Sequence, residues 1–169
     1  NKKFESIRFQ FNYTDDVEDR LGYFDNIGFF IDMFQSHFLS ILYYLIEDEI
    51  KDLENLNIIR NIRKKYNGYG GKNNIDTYFY LEFEFNNVLY IFEAGKAMKV
   101  ESKKIYLDNI EFKVNNYHNE YELYFKDLFN NKIDSNLIHL HEHFWKITDK
   151  VNKDFSSNCE IGNYLKGEF

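Results

Sequence analysis

Twenty residues from Ile27 to Ile46, IGFFIDMFQSHFLSILYYLI, constrain this chain more than any other segment. The run is about as long as a membrane-spanning helix. It nevertheless carries Asp32, Gln35, Ser36, His37 and Ser40, and a carboxylate near the middle of a bilayer is costly without a partner. Its apolar positions Phe30, Ile31, Phe34, Phe38, Ile41, Leu42, Leu45 and Ile46 recur at helical spacing. Phe29, Met33, Tyr43 and Tyr44 widen that stripe to most of the circumference. A helix apolar nearly all round is buried, so the run reads as the central helix of a domain and not as a membrane span.

The elements around it follow from changes in hydrophobic period. Phe4 to Phe11 alternates, with Ile7, Phe9 and Phe11 on one side, and reads as a strand. Asp15 followed by Glu18 supplies helix-capping chemistry. After Ile46 an acidic stretch leads into Leu53, Leu56, Ile59 and Ile62, a helical stripe expected to reach Tyr66. The run Asn67-Gly68-Tyr69-Gly70-Gly71 stops it. From Thr77 the period is two: Phe79, Leu81, Phe83 and Phe85 face one way, and Tyr78, Tyr80, Glu82 and Glu84 the other. Asn86-Asn87 forms a two-residue turn, and Val88 to Glu93 returns. A second hairpin runs from Lys103 to Val114 around Asp108-Asn109. Two further helical stripes follow, Tyr121 to Phe129 and Leu137 to Val151.

This order predicts an α+β fold, with an antiparallel sheet of about five strands (the N-terminal strand plus two hairpins) packed against the central apolar helix and further helices. A length of 169 residues suits one domain, expected over residues 1–155 with a loosely docked tail at 156–169. The single cysteine, Cys159, cannot form an internal disulfide, which fits a reducing, cytoplasmic setting. No secretory leader is read at the N-terminus.

A net charge of −7 disfavours phosphate-backbone binding as the main activity. Motifs that suggest chemistry each have a plainer explanation. The cluster His139, His141 and His143 holds two histidines at i and i+4, but lacks the general base and further ligands of a zinc site. The glycine-rich NGYGGK does not end in the Lys-Ser or Lys-Thr of a phosphate loop. Arg60-Asn61 resembles the Arg-Asn element of HEPN-type ribonucleases, which are helical. That family's histidine is replaced here by Tyr66 and Asn67, so no catalytic role is carried over.

The outer face of the first hairpin is the candidate binding surface. Tyr78, Tyr80, Glu82, Glu84 and Glu93 would share it with Leu89 and Ile91, giving tyrosine anchors among carboxylates suited to a basic partner. The sequence thus points to a small acidic protein-binding inhibitor without a cofactor. An immunity protein or antitoxin neutralising a toxin nuclease, or a phage-encoded blocker of a bacterial defence complex, would fit. The alternative is a metal-dependent or RNA-cleaving enzyme using His139, His141 and His143. A homo-oligomer is also compatible.

Overall fold

A computed structural model describes residues 4–113 and 136–169. Strand β1 (Ser6–Asn12) leads through a 3-10 turn (Glu18–Arg20) into helix α1 (Leu21–Ile27). A π-helix (Ile31–Phe38) then runs directly into α2 (Leu39–Ile46), followed by a 3-10 helix (Glu47–Asn55) and β2 (Asn57–Tyr66). Next come β3 (Tyr78–Phe85), β4 (Val88–Gly95), β5 (Ser102–Leu107) and β6 (Ile110–Lys113). Helix α3 (Asn136–Asn158) and the short β7 (Gly162–Tyr164) complete the described chain. The expected stripe from Tyr121 to Phe129 lies outside the described residues.

The strands form one seven-stranded sheet in the order β6-β5-β1-β4-β3-β2-β7. The sheet is mixed and not a five-stranded antiparallel one, because β1 lies parallel to β4 with Phe9 opposite Phe92. Parallel neighbours need a long crossover, and here the helices and the β2–β3 pair fill it. Both hairpins form as the alternation predicts, with Asn86 and Asn87 at φ 51° and 57°, and Asp108-Asn109 between β5 and β6.

The Ile27–Ile46 run is buried against one face of this sheet. Phe34 stands edge-on to Phe92 at 5.3 Å, and Phe38 meets Phe9, Phe92 and Phe79. Phe9, Phe34, Phe38, Phe79, Phe83 and Phe92 are all fully buried. No single described helix is long and apolar enough to cross a membrane; residues Glu18–Ile27 and Ile31–Ile46 reach that composition only as a pair bent by 82°.

Residues 47–66 correct the reading of one continuing helix. The 3-10 helix ends at Asn55, and the isoleucine-rich stretch after it is β2, antiparallel to β3 with an irregularity between Ile58 and Arg60. Its burial is inverted: Asn61 and Arg63 point inward beneath α3, while Ile59 and Ile62 are exposed. Asn61 donates to the Val151 carbonyl at 2.9 Å. Arg60-Asn61 therefore sits on a strand, and the resemblance to a helical ribonuclease fails on fold. The C-terminal segment is also held firmly. β7 pairs with β2, and the buried Tyr164 hydroxyl reaches the Lys96 carbonyl at 2.6 Å.

Candidate functional site at the strand ends

Parallel strands leave their carboxyl ends side by side, a place where ligands recur in open sheets. Here β1 ends in Asn12 and β4 in Gly95, which are paired in register. The two loops beyond are laced together by backbone bonds. Tyr13 N donates to Gly95 O, Ala97 N to Asp15 O, and Met98 N to Tyr13 O, each at 2.9 Å. Gly95 is required by this closeness, since a Cβ there would lie 2.6 Å from Met98 Sδ and 2.8 Å from Tyr78. Lys96 N donates to Thr77 O, and its carbonyl takes the Tyr164 hydroxyl.

That lacing points the Lys96 side chain into the strand-end cluster, where it is only 11% exposed. Its ammonium meets Asp15 at 2.9 Å and stands over the Tyr13 ring at 4.3 Å, with Lys103 over the same ring at 4.9 Å. The hydrogen bond from Lys96 holds the Asp15 carboxyl below its ordinary range. Asn12 is buried, and its Oδ1 finds no donor among the described residues. An orphaned buried oxygen of this kind calls for an explanation.

The π-helix forms the other wall. Tyr13 Oη reaches Met33 Sδ at 3.9 Å, and the Tyr13 ring stands edge-on to Phe29. With i→i+5 bonding, the residue one turn beyond Asp32 and Met33 is His37, which is exposed. Asp32 accepts from the Tyr23 hydroxyl at 2.6 Å, and this bond and partial burial push the Tyr23 pKa up to about 12. Asp32 also lines a cavity of about 290 Å³ with Tyr23, Asn26, Gln35, Ser36 and Trp145. π-helical turns concentrate at functional sites. This one carries Asp32, Gln35, Ser36 and His37 among four apolar residues.

The hairpin surface proposed from sequence does assemble. Glu93 lies opposite Tyr80, and Glu82 opposite Ile91. No described helix covers this face. Tyr80, Glu82 and Glu93 are half-buried and Glu84 is exposed, whereas Tyr78 is buried under Phe169, which stacks on it at 5.3 Å. Arg8 bridges to Glu93 at 3.0 Å, so positive groups interleave with the glutamates. The histidine cluster gains no ligands. The His139 side chain lies outside the described residues, His141 is exposed, and His143 is half-buried. Among the described residues no three His, Cys, Asp or Glu side chains converge as a metal site.

Lys96, Tyr13 and Asn12 received no role from sequence, and Asp32 and His37 served only as evidence against a membrane span. Asp32 is half-buried and His37 exposed on that helix, so their polarity by itself marks no site.

The fold class is a mixed α+β sheet with its helices on one face. No protein-family model matches the chain, and no curated protein matches it by sequence. Solved structures do match. The chain resembles glucose-6-phosphate 1-dehydrogenase from Mycobacterium avium with a TM-score of 0.73 at 14% identity, over 97% of this chain and 52% of that one. It also resembles a glucose-6-phosphate dehydrogenase in complex with its substrate glucose-6-phosphate, with a TM-score of 0.56 at 17% identity and the same coverages. The chain thus spans about half the length of these enzymes. This likeness overturns the expectation of an inhibitor, immunity protein or antitoxin, and of a chain unrelated to enzymes: the fold is one that an oxidoreductase uses.

Proposed function

We propose that this chain is the sheet-and-helix part of a sugar-phosphate dehydrogenase of the glucose-6-phosphate type, and that the strand-end cluster receives the sugar phosphate. The observation that carries the reading is the placing of Lys96 and Lys103 over Tyr13, beside the orphaned Asn12 Oδ1, against a π-helix whose Met33 meets Tyr13, within a fold shared with such an enzyme. Lys96 and Lys103 supply positive charge for a phosphate ester or an electron-rich hydroxyl. Asn12 offers an acceptor to a sugar hydroxyl. Dehydrogenation of a hemiacetal removes a hydride and a proton. The base that takes that proton is not assigned to the strand-end cluster. The hydride acceptor is not assigned to this chain: its one glycine-rich run follows β2 and opens no helix, unlike a dinucleotide-binding turn.

Titration of the chain with glucose 6-phosphate tests this reading. Binding in the range of about 10 μM to 1 mM is expected, with glucose and inorganic phosphate each weaker. Lys96→Ala should weaken binding by about tenfold or more, as for loss of a charge-assisted contact. Absence of binding at about 10 mM, ten times the upper end of that range, would overturn it.

A second observation favours a protein-binding role for the open sheet face. Tyr80, Glu82, Glu84, Leu89 and Ile91 form a surface that no described element covers, and Arg8 and Arg60 alternate with the glutamates. Such interleaved charge suits a partner of equally mixed charge, a second copy of this chain being the simplest. A strictly monomeric chain at about 100 μM, well above the Kd of a standard-sized interface, would remove the self-association form of this proposal.

A further inference from the structure

The π-helix begins at a backbone position that Asp76 controls from outside the helix. Asp76 O accepts from Phe29 N at 3.1 Å, and Asp76 Oδ2 accepts from Phe30 N at 2.7 Å. These amides precede the first π turn and have no intrahelical acceptor of their own. Gly28, at φ 78°, leaves room for this: a Cβ there would lie 2.9 Å from Asp76 Oδ1. The carboxylate is buried, and burial pushes its pKa up against the opposing charge of Arg63 and the Phe30 amide. Arg63 itself is buried between the Phe30 ring, at 3.8 Å, and the Phe155 ring, at 4.6 Å. Its Nε and Nη2 find no acceptor among the described residues. A charge this poorly hydrogen-bonded adds little net stability, yet it locks the ring of Phe30 and faces the carboxylate that holds Phe30 N.

We propose that Asp76 is the positioning residue of the strand-end site, with Arg63 as its backing charge. Together they set where the π-helix starts, and hence where Met33, which meets Tyr13 of that site, is presented. The functional half of this statement rests on the sugar-phosphate reading above. Asp76 reaches the helix through Phe29 N and Phe30 N, and its chain neighbour Thr77 accepts from Lys96 N. Its carboxylate bond to Phe30 N is the element that matters, and the charge is secondary.

Two double variants isolate that bond without leaving a buried unpaired charge. Arg63→Met with Asp76→Asn keeps an acceptor for Phe30 N; Arg63→Met with Asp76→Leu removes it at nearly the same volume. Three measurements follow on both proteins: amide exchange at Phe29 and Phe30, emission of Trp145, and affinity for glucose 6-phosphate. Trp145 is the single tryptophan and lines the cavity with Gln35 and Ser36. The Asn form should behave as the parent. The Leu form should exchange the Phe30 amide about 100-fold faster, shift the Trp145 emission, and lose about tenfold or more in affinity, as misplaced site groups do. Equal exchange and emission in the two forms would overturn the proposal. If the parent chain binds no glucose 6-phosphate, the functional reading fails, and exchange and emission alone still decide whether Asp76 positions the helix.

Discussion

The two faces of the sheet are built from the same strands and could hardly differ more. On the helix-covered face, Phe9, Phe79, Phe83 and Phe92 are fully buried; Phe9 and Phe83 stack on Phe92, with Phe9 and Phe92 5.0 Å apart, and Phe79 meets Phe30 and Phe38. On the other face Arg8, Gln10, Tyr80, Glu82 and Glu93 are half-buried; Arg8 and Gln10 donate to Glu93 and Tyr80 to Glu82, while Arg8 Nε finds no acceptor among the described residues. Burial of aromatic area stabilises the first face. The second is a polar network close to water, where each pair contributes little. Stability is concentrated on the helix-covered side of the sheet.

Substitutions across the sheet test that division, and the largest effect belongs to the covered face. Phe34→Ala, which empties a site between Phe30 and Phe92, should cost about 3–5 kcal/mol in chemical denaturation. A loss under about 1 kcal/mol would mean that the π-helix is not the centre of the core. At the strand end between the faces, Gly95→Ala forces a methyl group against Met98 and Tyr78 and should cost about 1–3 kcal/mol. It should also disturb Lys96, so ligand affinity would fall with it.

The open face should respond far less. Arg8→Ala removes one arm of the Glu93 network, and a loss of about 0.5–1 kcal/mol is expected. Tyr80→Ala and Glu82→Lys should each change folding by no more than about 0.5–1 kcal/mol, but should alter association if this face binds a partner. If either unfolds the protein, the two faces are not energetically distinct.

The smallest effect is a pH dependence at the strand end. Hydrogen bonds hold Asp15 and Asp16 below their ordinary range through Lys96 and Lys166. A depressed folded-state pKa gives stability that is present above the unfolded value near 3.8 and is lost as pH falls through the folded value. Lys96→Met and Lys166→Met should therefore flatten the stability profile below about pH 4 and leave it unchanged near pH 7 relative to their own plateau. An unaltered acid limb would show that neither pair matters to folding.

Both hairpins, β1 and the buried Ile27–Ile46 run were legible because their signals are local. Alternation fixes which side of a strand is apolar, and Asn86-Asn87 and Asp108-Asn109 tolerate the turn geometry without help from elsewhere. Only tertiary structure decided β2. Ile59 and Ile62 are exposed while Asn61 and Arg63 are buried under α3, so its own pattern argued for the wrong element until a distant helix arrived. The parallel pairing of β1 with β4 joins residues about 80 positions apart, as at Ile7 and Tyr90, and no local period encodes such a contact. The strand-end cluster has the same origin. Asn12, Tyr13 and Lys96 are unremarkable where they stand in the chain. They become a candidate site because crossover topology brings the ends of two parallel strands beside one π-helix.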